Sequence, residues 1–329
     1  MRLSVLDQSP IPEGGNGGQS LRNSIELAQL ADELGYHRFW MAEHHATPSL
    51  ASASPEILLS AVGLATQRIR IGTGGVMLPH YSPLKVAESF SMLAGLLPGR
   101  VDLGLGRAPG SDQITAYALQ QDRRTRAPNE FPQQLQELLA YYDGALPEQH
   151  PFRHLGKALP GGVEQPDIWI LGSSADSALL AGALGLPYCI ADFIAGEVPE
   201  LAESYRTAFR PSARASAPEV MLACWTVAAD SDEQAARIAA PSRMMFAKMM
   251  AGELIAVPHP DKALEWLAEN PAPTPGHRRP IIGTAAHCCA AIREKARAYG
   301  ASEVMLVNIL HDHADRLHSY RLIAAEMRL

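Results

Sequence analysis

Arg38-Phe39-Trp40-Met41-Ala42-Glu43-His44-His45 starts as a strand-like run and ends in a carboxylate and two imidazoles. A second such run, Ile69-Arg70-Ile71-Gly72-Thr73-Gly74-Gly75-Val76, carries paired glycines near its end. A third, Val101-Asp102-Leu103-Gly104-Leu105-Gly106-Arg107, ends in an arginine. Each run delivers reactive or backbone-exposing residues at its C-terminal end, the face on which α/β barrels build their sites. Outward from these runs the chain alternates strand-like and helix-length amphipathic segments. A strand at 3–8 precedes a Pro/Gly-rich loop and a helix at 20–34, which Gly35 stops. Ser54-Pro55-Glu56 and Ser82-Pro83 each open a helix with a cap residue followed by proline. Further strands fall at 167–171, 188–191, 220–228 and 303–309. Eight strands with interleaved helices predict an α/β fold, a (β/α)8 TIM barrel with insertions, in one domain spanning 1–329. The proline-rich stretch 254–280 reads as an irregular excursion outside the barrel. A doubly wound sheet would want G-x-G-x-x-G, and the strings starting at Gly72 and Gly104 both lack the third glycine.

The formal charge of −7 over 329 residues and the absence of a basic run argue against nucleic acid and anionic membranes as partners. Arg123-Arg124-Thr125-Arg126 is the densest basic cluster and reads as a solvated loop or helix end. The first apolar run stops too early for a signal peptide, and no apolar stretch is long enough to span a bilayer. Cys189, Cys224, Cys288 and Cys289 form no C-x-x-C pair and read as buried thiols in a reducing cytoplasm.

Neighbouring residues in extended chain point to opposite sides, so one of His44 and His45 faces a pocket while the other packs against the next element. An imidazole there suits proton transfer; the alternative is a pair of polar loop residues. Gly74-Gly75 allows close backbone approach to a flat ligand, or forms a simple strand-end turn. Ser173, Ser174 and Ser177 bring hydroxyls and free N–H groups to a helix start, either an anion site or an N-cap. Arg107 offers a phosphate a bidentate cation. The 104–112 loop reads as shaped around a ligand. His311-Asp312-His313 and His318 lack the spacing of a standard metal site, so no metal is expected.

These strings, together with Gly72-Thr73-Gly74-Gly75-Val76-Met77-Leu78-Pro79, Ser82-Pro83-Leu84-Lys85-Val86-Ala87-Glu88 and Leu171-Gly172-Ser173-Ser174, resemble the bacterial luciferase-like, flavin-dependent monooxygenases. The resemblance is dense to Asp112 and looser beyond Asp192. It implies FMN at the C-terminal face of a TIM barrel, with His44 catalytic beside the flavin ring. It implies a non-prolyl cis peptide at Gly74-Gly75 and a phosphate site at Arg107, Ser173, Ser174 and Ser177. It also implies a two-component monooxygenase, whose reduced FMN comes from a separate flavin reductase and whose substrate is a small molecule such as an aldehyde or ketone. Segments 48–53 and 254–280 would form a lid, and helices 54–67 and 82–97 would pair in a homodimer. True luciferases carry a cysteine where Gly106 stands and commonly an acidic residue where Ser173 stands, which argues against light emission. A non-catalytic flavin-binding protein and a deazaflavin-dependent hydride-transfer enzyme are the competing readings.

Overall fold

The computed structural model describes residues 1–107, 113–119, 130–270 and 280–329. Its strands are β1 (Arg2–Asp7), β2 (Arg38–Met41), β3 (Arg70–Thr73), β4 (Val76–Met77), β5 (Val101–Gly106), β6 (Asp167–Gly172), β7 (Tyr188–Ala191), β8 (Val220–Ala229), β9 (Ile281–Thr284) and β10 (Glu303–Val307). The helices are α1 (Gly17–Leu34), α2 (Pro55–Ala65), α3 (Pro83–Leu96), α4 (Gln113–Leu119), α5 (Phe131–Asp143) and α6 (Ala175–Ala183), then α7 (Asp192–Ala195), α8 (Glu200–Ala208), α9 (Asp232–Met250), α10 (Pro260–Glu269), α11 (Ala285–Tyr299) and α12 (His313–Met327). The strand path β10-β1-β2-β3-β5-β6-β7-β8 closes through β8 and β10, and every strand pairing is parallel. This is the closed eight-stranded (β/α)8 barrel. β4 prolongs the path of β3 and pairs with β5.

Strand β8 is long enough to serve two partners. Its first half, Met221 to Trp225, pairs with β10, and Thr226 to Ala229 pairs with β9 beyond the barrel. The 254–280 stretch is not irregular throughout, because it contains α10. Pro260 is a first-turn residue there, and the His259 side chain accepts the Asp261 N–H. Proline is tolerated at that position, so the prolines mark a helix start rather than coil. α1 likewise begins earlier than periodicity places it, because the Asn16 side chain caps Gln19 N–H. No helix among the described residues is long and apolar enough to cross a membrane.

The barrel interior is layered by strand alternation. Its middle holds Leu6, Trp40, Trp169, Cys189, Met221 and Met305. Below it lies an ionic plug. The Arg38 guanidinium meets Asp102 at 2.8 Å and Glu303 at 3.1 Å, and Trp40 donates its indole N–H to Asp102 at 2.9 Å. The same guanidinium lies over the Trp169 ring at 4.8 Å. Burial by itself would lower the Arg38 pKa; Asp102 and Glu303 reverse that, and the net shift is upward. The four cysteines are free and buried, and burial pushes their thiols up, Cys289 to about 11.

Candidate active site at the C-terminal rim of the barrel

Beyond β2 the chain continues with alternating orientation. Ala42 packs in the interior cluster, whereas Glu43 turns outward and is fully buried. The Glu43 carboxylate accepts the Met77 N–H at 3.0 Å and the Tyr81 hydroxyl at 2.9 Å, and His45 Nε2 lies 2.7 Å from it. Burial first, and then Glu43, push the Tyr81 phenol up, which keeps it a donor. Glu43 therefore ties the end of β2 to β4 and to the turn before α3. Sequence reading gave it no role, although its place between inward Ala42 and inward His44 is the signal that was present.

His44 alternates back toward the barrel axis. Its backbone N–H donates to the Ser52 carbonyl at 2.8 Å, and the Ser52 hydroxyl donates to the Ala42 carbonyl. The Nδ1 atom is buried with no hydrogen-bond partner. Burial, with His45 adding to it, lowers the His44 pKa to about 4, so the imidazole is neutral near pH 7.

The Gly74–Gly75 peptide bond is cis. A Cβ on Gly74 would lie 2.6 Å from Leu6 Cδ1, and one on Gly75 would lie 2.8 Å from the Gly104 carbonyl oxygen. Both glycines thus permit close packing of the β3 exit against the barrel interior and β5. At Gly106 the nearest atom to a Cβ is Met77 Sδ at 3.4 Å, which leaves that position less crowded.

Arg107 follows β5 and reaches the start of α6. Its guanidinium lies 3.6 Å from Asp176, a first-turn residue of that helix, and both side chains are exposed. Ser174 is the N-cap, in a capping box with Ser177. The Ser177 hydroxyl donates to the Ser174 carbonyl at 2.7 Å and lies 2.8 Å from the Tyr188 hydroxyl. Ser177 is thereby engaged within the fold, whereas Arg107 and Ser173 stay at the rim. His44, Gly74–Gly75, Arg107 and the serines follow β2, β3, β5 and β6, which are consecutive around the barrel. Residues 108–112 of the 104–112 loop, the Arg123–Arg126 cluster and residues 271–279 lie outside the described residues.

Three rim segments are stitched together above the strands. Ile11 N–H donates to the Ser49 carbonyl at 2.7 Å, and Ala51 N–H to the Ser9 carbonyl at 2.9 Å. On the other side Glu13 N–H donates to the Val257 carbonyl at 2.7 Å, and Val257 N–H to the Ile11 carbonyl at 2.9 Å. The β1–α1 loop thus joins the segment after His44 to the excursion before α10. The histidines of the 311–318 cluster take separate partners. His311 stacks edge-on against His259, His313 lies 3.3 Å from Glu26, and His318 lies 3.1 Å from Asp230.

The family profile described as luciferase-like monooxygenase matches residues 1–303. The chain is 42% identical to the protein YwcH of Bacillus subtilis (strain 168), over 98% of this chain and 97% of the other. It is 41% identical to the N-acetyl-S-alkylcysteine monooxygenase of the same organism, over 71% of this chain and 70% of that one. The crystal structure of apo-MsnO8 superposes with a TM-score of 0.90 at 38% identity, covering 100% of this chain and 98% of that one. The chain belongs to the luciferase-like monooxygenase family.

Proposed function

We propose that this protein is the oxygenating component of a two-component, FMN-dependent monooxygenase acting on a small organic substrate. The observation that carries this reading is the approach of Arg107 to the first turn of α6. A cation and the free N–H groups of a helix start converge there, and such a place suits a phosphate dianion. The residues present fit FMN at both ends. Arg107, Ser173 and the backbone at the head of α6 would hold the phosphate. His44, with Nδ1 unpartnered, stands on the same rim two strands away from Arg107.

When bound, the reduced flavin supplies the electrons that activate oxygen. The chain's own part is to bind, orient and shield. Asp176 releases Arg107 as the phosphate arrives. His44, neutral at physiological pH, takes up a proton at Nε2 and returns it. Glu43 holds the β3–β4 turn, and with it the Gly74–Gly75 backbone, in register with β2. The stitched segments at 9–13, 49–51 and 257 exclude water from the mouth. Reduced flavin is delivered by a separate reductase in the cytoplasm. Ile57 and Leu64 on α2, and Met92 and Leu96 on α3, are exposed apolar residues at helical spacing. They support a homodimer through these two helices.

Arg107→Ala is expected to weaken FMN binding about 10- to 100-fold, the worth of a charge-assisted hydrogen bond. Riboflavin, which lacks the phosphate, is expected to bind wild type and variant equally weakly. Isothermal titration with both ligands tests this. Equal FMN affinity in the two proteins would remove Arg107 from the phosphate site.

A further inference from the structure

Gln8 stands at the mouth of the barrel just after β1, and only 5% of its surface is exposed. Its carboxamide has no hydrogen-bond partner among the described residues. Asp7 points outward, paired at 2.5 Å with Arg316 of α12, while Leu6 packs in the barrel interior. Alternation therefore turns Gln8 inward, to the side of Leu6. The β1–β2 ladder pairs Leu6 with Trp40 and Asp7 with Met41, and Ala42 N–H then donates to the Asp7 carbonyl at 2.9 Å. Gln8 thus lies on the interior wall, one strand from His44.

The surroundings restrict what Gln8 can meet. Ala42, Ala223, Val307, Leu171 and Phe193 make the neighbouring interior surface apolar. The acidic groups at these strand ends are already matched. Asp7 has Arg316, Asp192 has Lys295 at 3.1 Å and Tyr299 at 2.9 Å, and Glu43 faces away from the barrel axis. The Gln8 amide atoms are not among the sealed, unpartnered side-chain atoms, so the carboxamide opens onto the barrel mouth, where a ligand oxygen can take the place of water. A charged ligand group would find no countercharge beside Gln8 among the described residues.

We infer that Gln8 is a specificity-determining residue, whose Nε2–H donates to an uncharged carbonyl-type oxygen of the substrate while the substrate's apolar part lies on the surrounding wall. This rests on the FMN reading above. The phosphate site is on β5 and β6 and the ring end is at His44 on β2, so the β10-β1 wall, where Gln8 lies, is left for the substrate.

The test uses the full chain loaded with reduced FMN under anaerobic conditions, with heptan-2-one and heptanoate as probes and ligand-observed NMR as the readout. FMN affinity is titrated separately for each protein. Wild type is expected to bind heptan-2-one about tenfold or more tighter than heptanoate. Gln8→Leu and Gln8→Met, neither of which can donate to a ketone, are expected to lose about tenfold in heptan-2-one affinity with FMN affinity unchanged. The assignment is overturned if either variant, folded and holding FMN, binds heptan-2-one as wild type does. It is also overturned if wild type ignores heptan-2-one or prefers heptanoate. Loss of FMN affinity in a variant would instead place Gln8 on the cofactor. Failure of wild type to take up FMN would sink the underlying functional reading itself.

Discussion

On the proposed assignment, His44→Ala keeps its FMN and oxidises substrate about 10²- to 10⁴-fold more slowly than wild type, the usual worth of a positioned proton-transfer group. His44 alternates inward from β2, its backbone is fixed by Ser52, and its Nδ1 is sealed without a partner. The ring is therefore held in place by the backbone and by packing rather than by a hydrogen bond to Nδ1. Its low pKa, about 4 against an ordinary 6.5, also has a stability consequence. The unfolded chain binds the proton more readily, so the contribution of neutral His44 is complete above about pH 6.5. It is lost as pH falls from there through about 4. His44→Ala removes that component, and its acid unfolding curve should be shallower over this range. Single-turnover rates at matched FMN occupancy check the first expectation. A variant that turns over at the wild-type rate with FMN bound would remove His44 from the chemistry.

Arg38→Met is expected to destabilise the fold by about 3–5 kcal/mol, the cost of leaving buried charges unpaired. Asp102 and Glu303 are fully buried, and Arg38 lies between them. Glu303 retains Arg2 at 3.1 Å and the Ser4 hydroxyl, and Asp102 retains Arg70 at 2.5 Å and the Trp40 indole. These contacts moderate the loss without replacing the central cation. Denaturant unfolding monitored by tryptophan fluorescence is a direct reporter, because Trp40 and Trp169 both touch this plug. A loss below about 1 kcal/mol would mean that Arg2 and Arg70 suffice to neutralise the two carboxylates.

Much of the barrel was legible in the sequence because its signals are local. Short, near-continuous apolar runs mark buried parallel strands such as β2 and β10, and a cap residue followed by proline marks the starts of α2 and α3. That one of His44 and His45 faces inward and the other outward follows from side-chain alternation, which does not by itself say which. Contacts between distant segments were not legible. The Glu43–Tyr81 bond spans 38 residues, and the meeting of Arg107 with Asp176 depends on β5 and β6 lying side by side. The cis bond at Gly74–Gly75 is as the resemblance implies, whereas the packing of Leu6 and the Gly104 carbonyl against the two Cα atoms is a contact between distant segments. Of the two readings of the serine cluster, the N-cap is present at Ser174 and Ser177, and the Ser177 contact with Tyr188 joins segments too far apart for the sequence to show. α10 was missed because its prolines read as breakers until their position at a helix start was visible.

Anaerobic titration of the purified protein with reduced FMN, beside the same titration with oxidised FMN and with riboflavin, tests the central claim most directly. Saturable binding of one reduced FMN per chain, stronger than binding of riboflavin, is the expected result. Absence of reduced-FMN binding, or equal affinity for riboflavin, would contradict it.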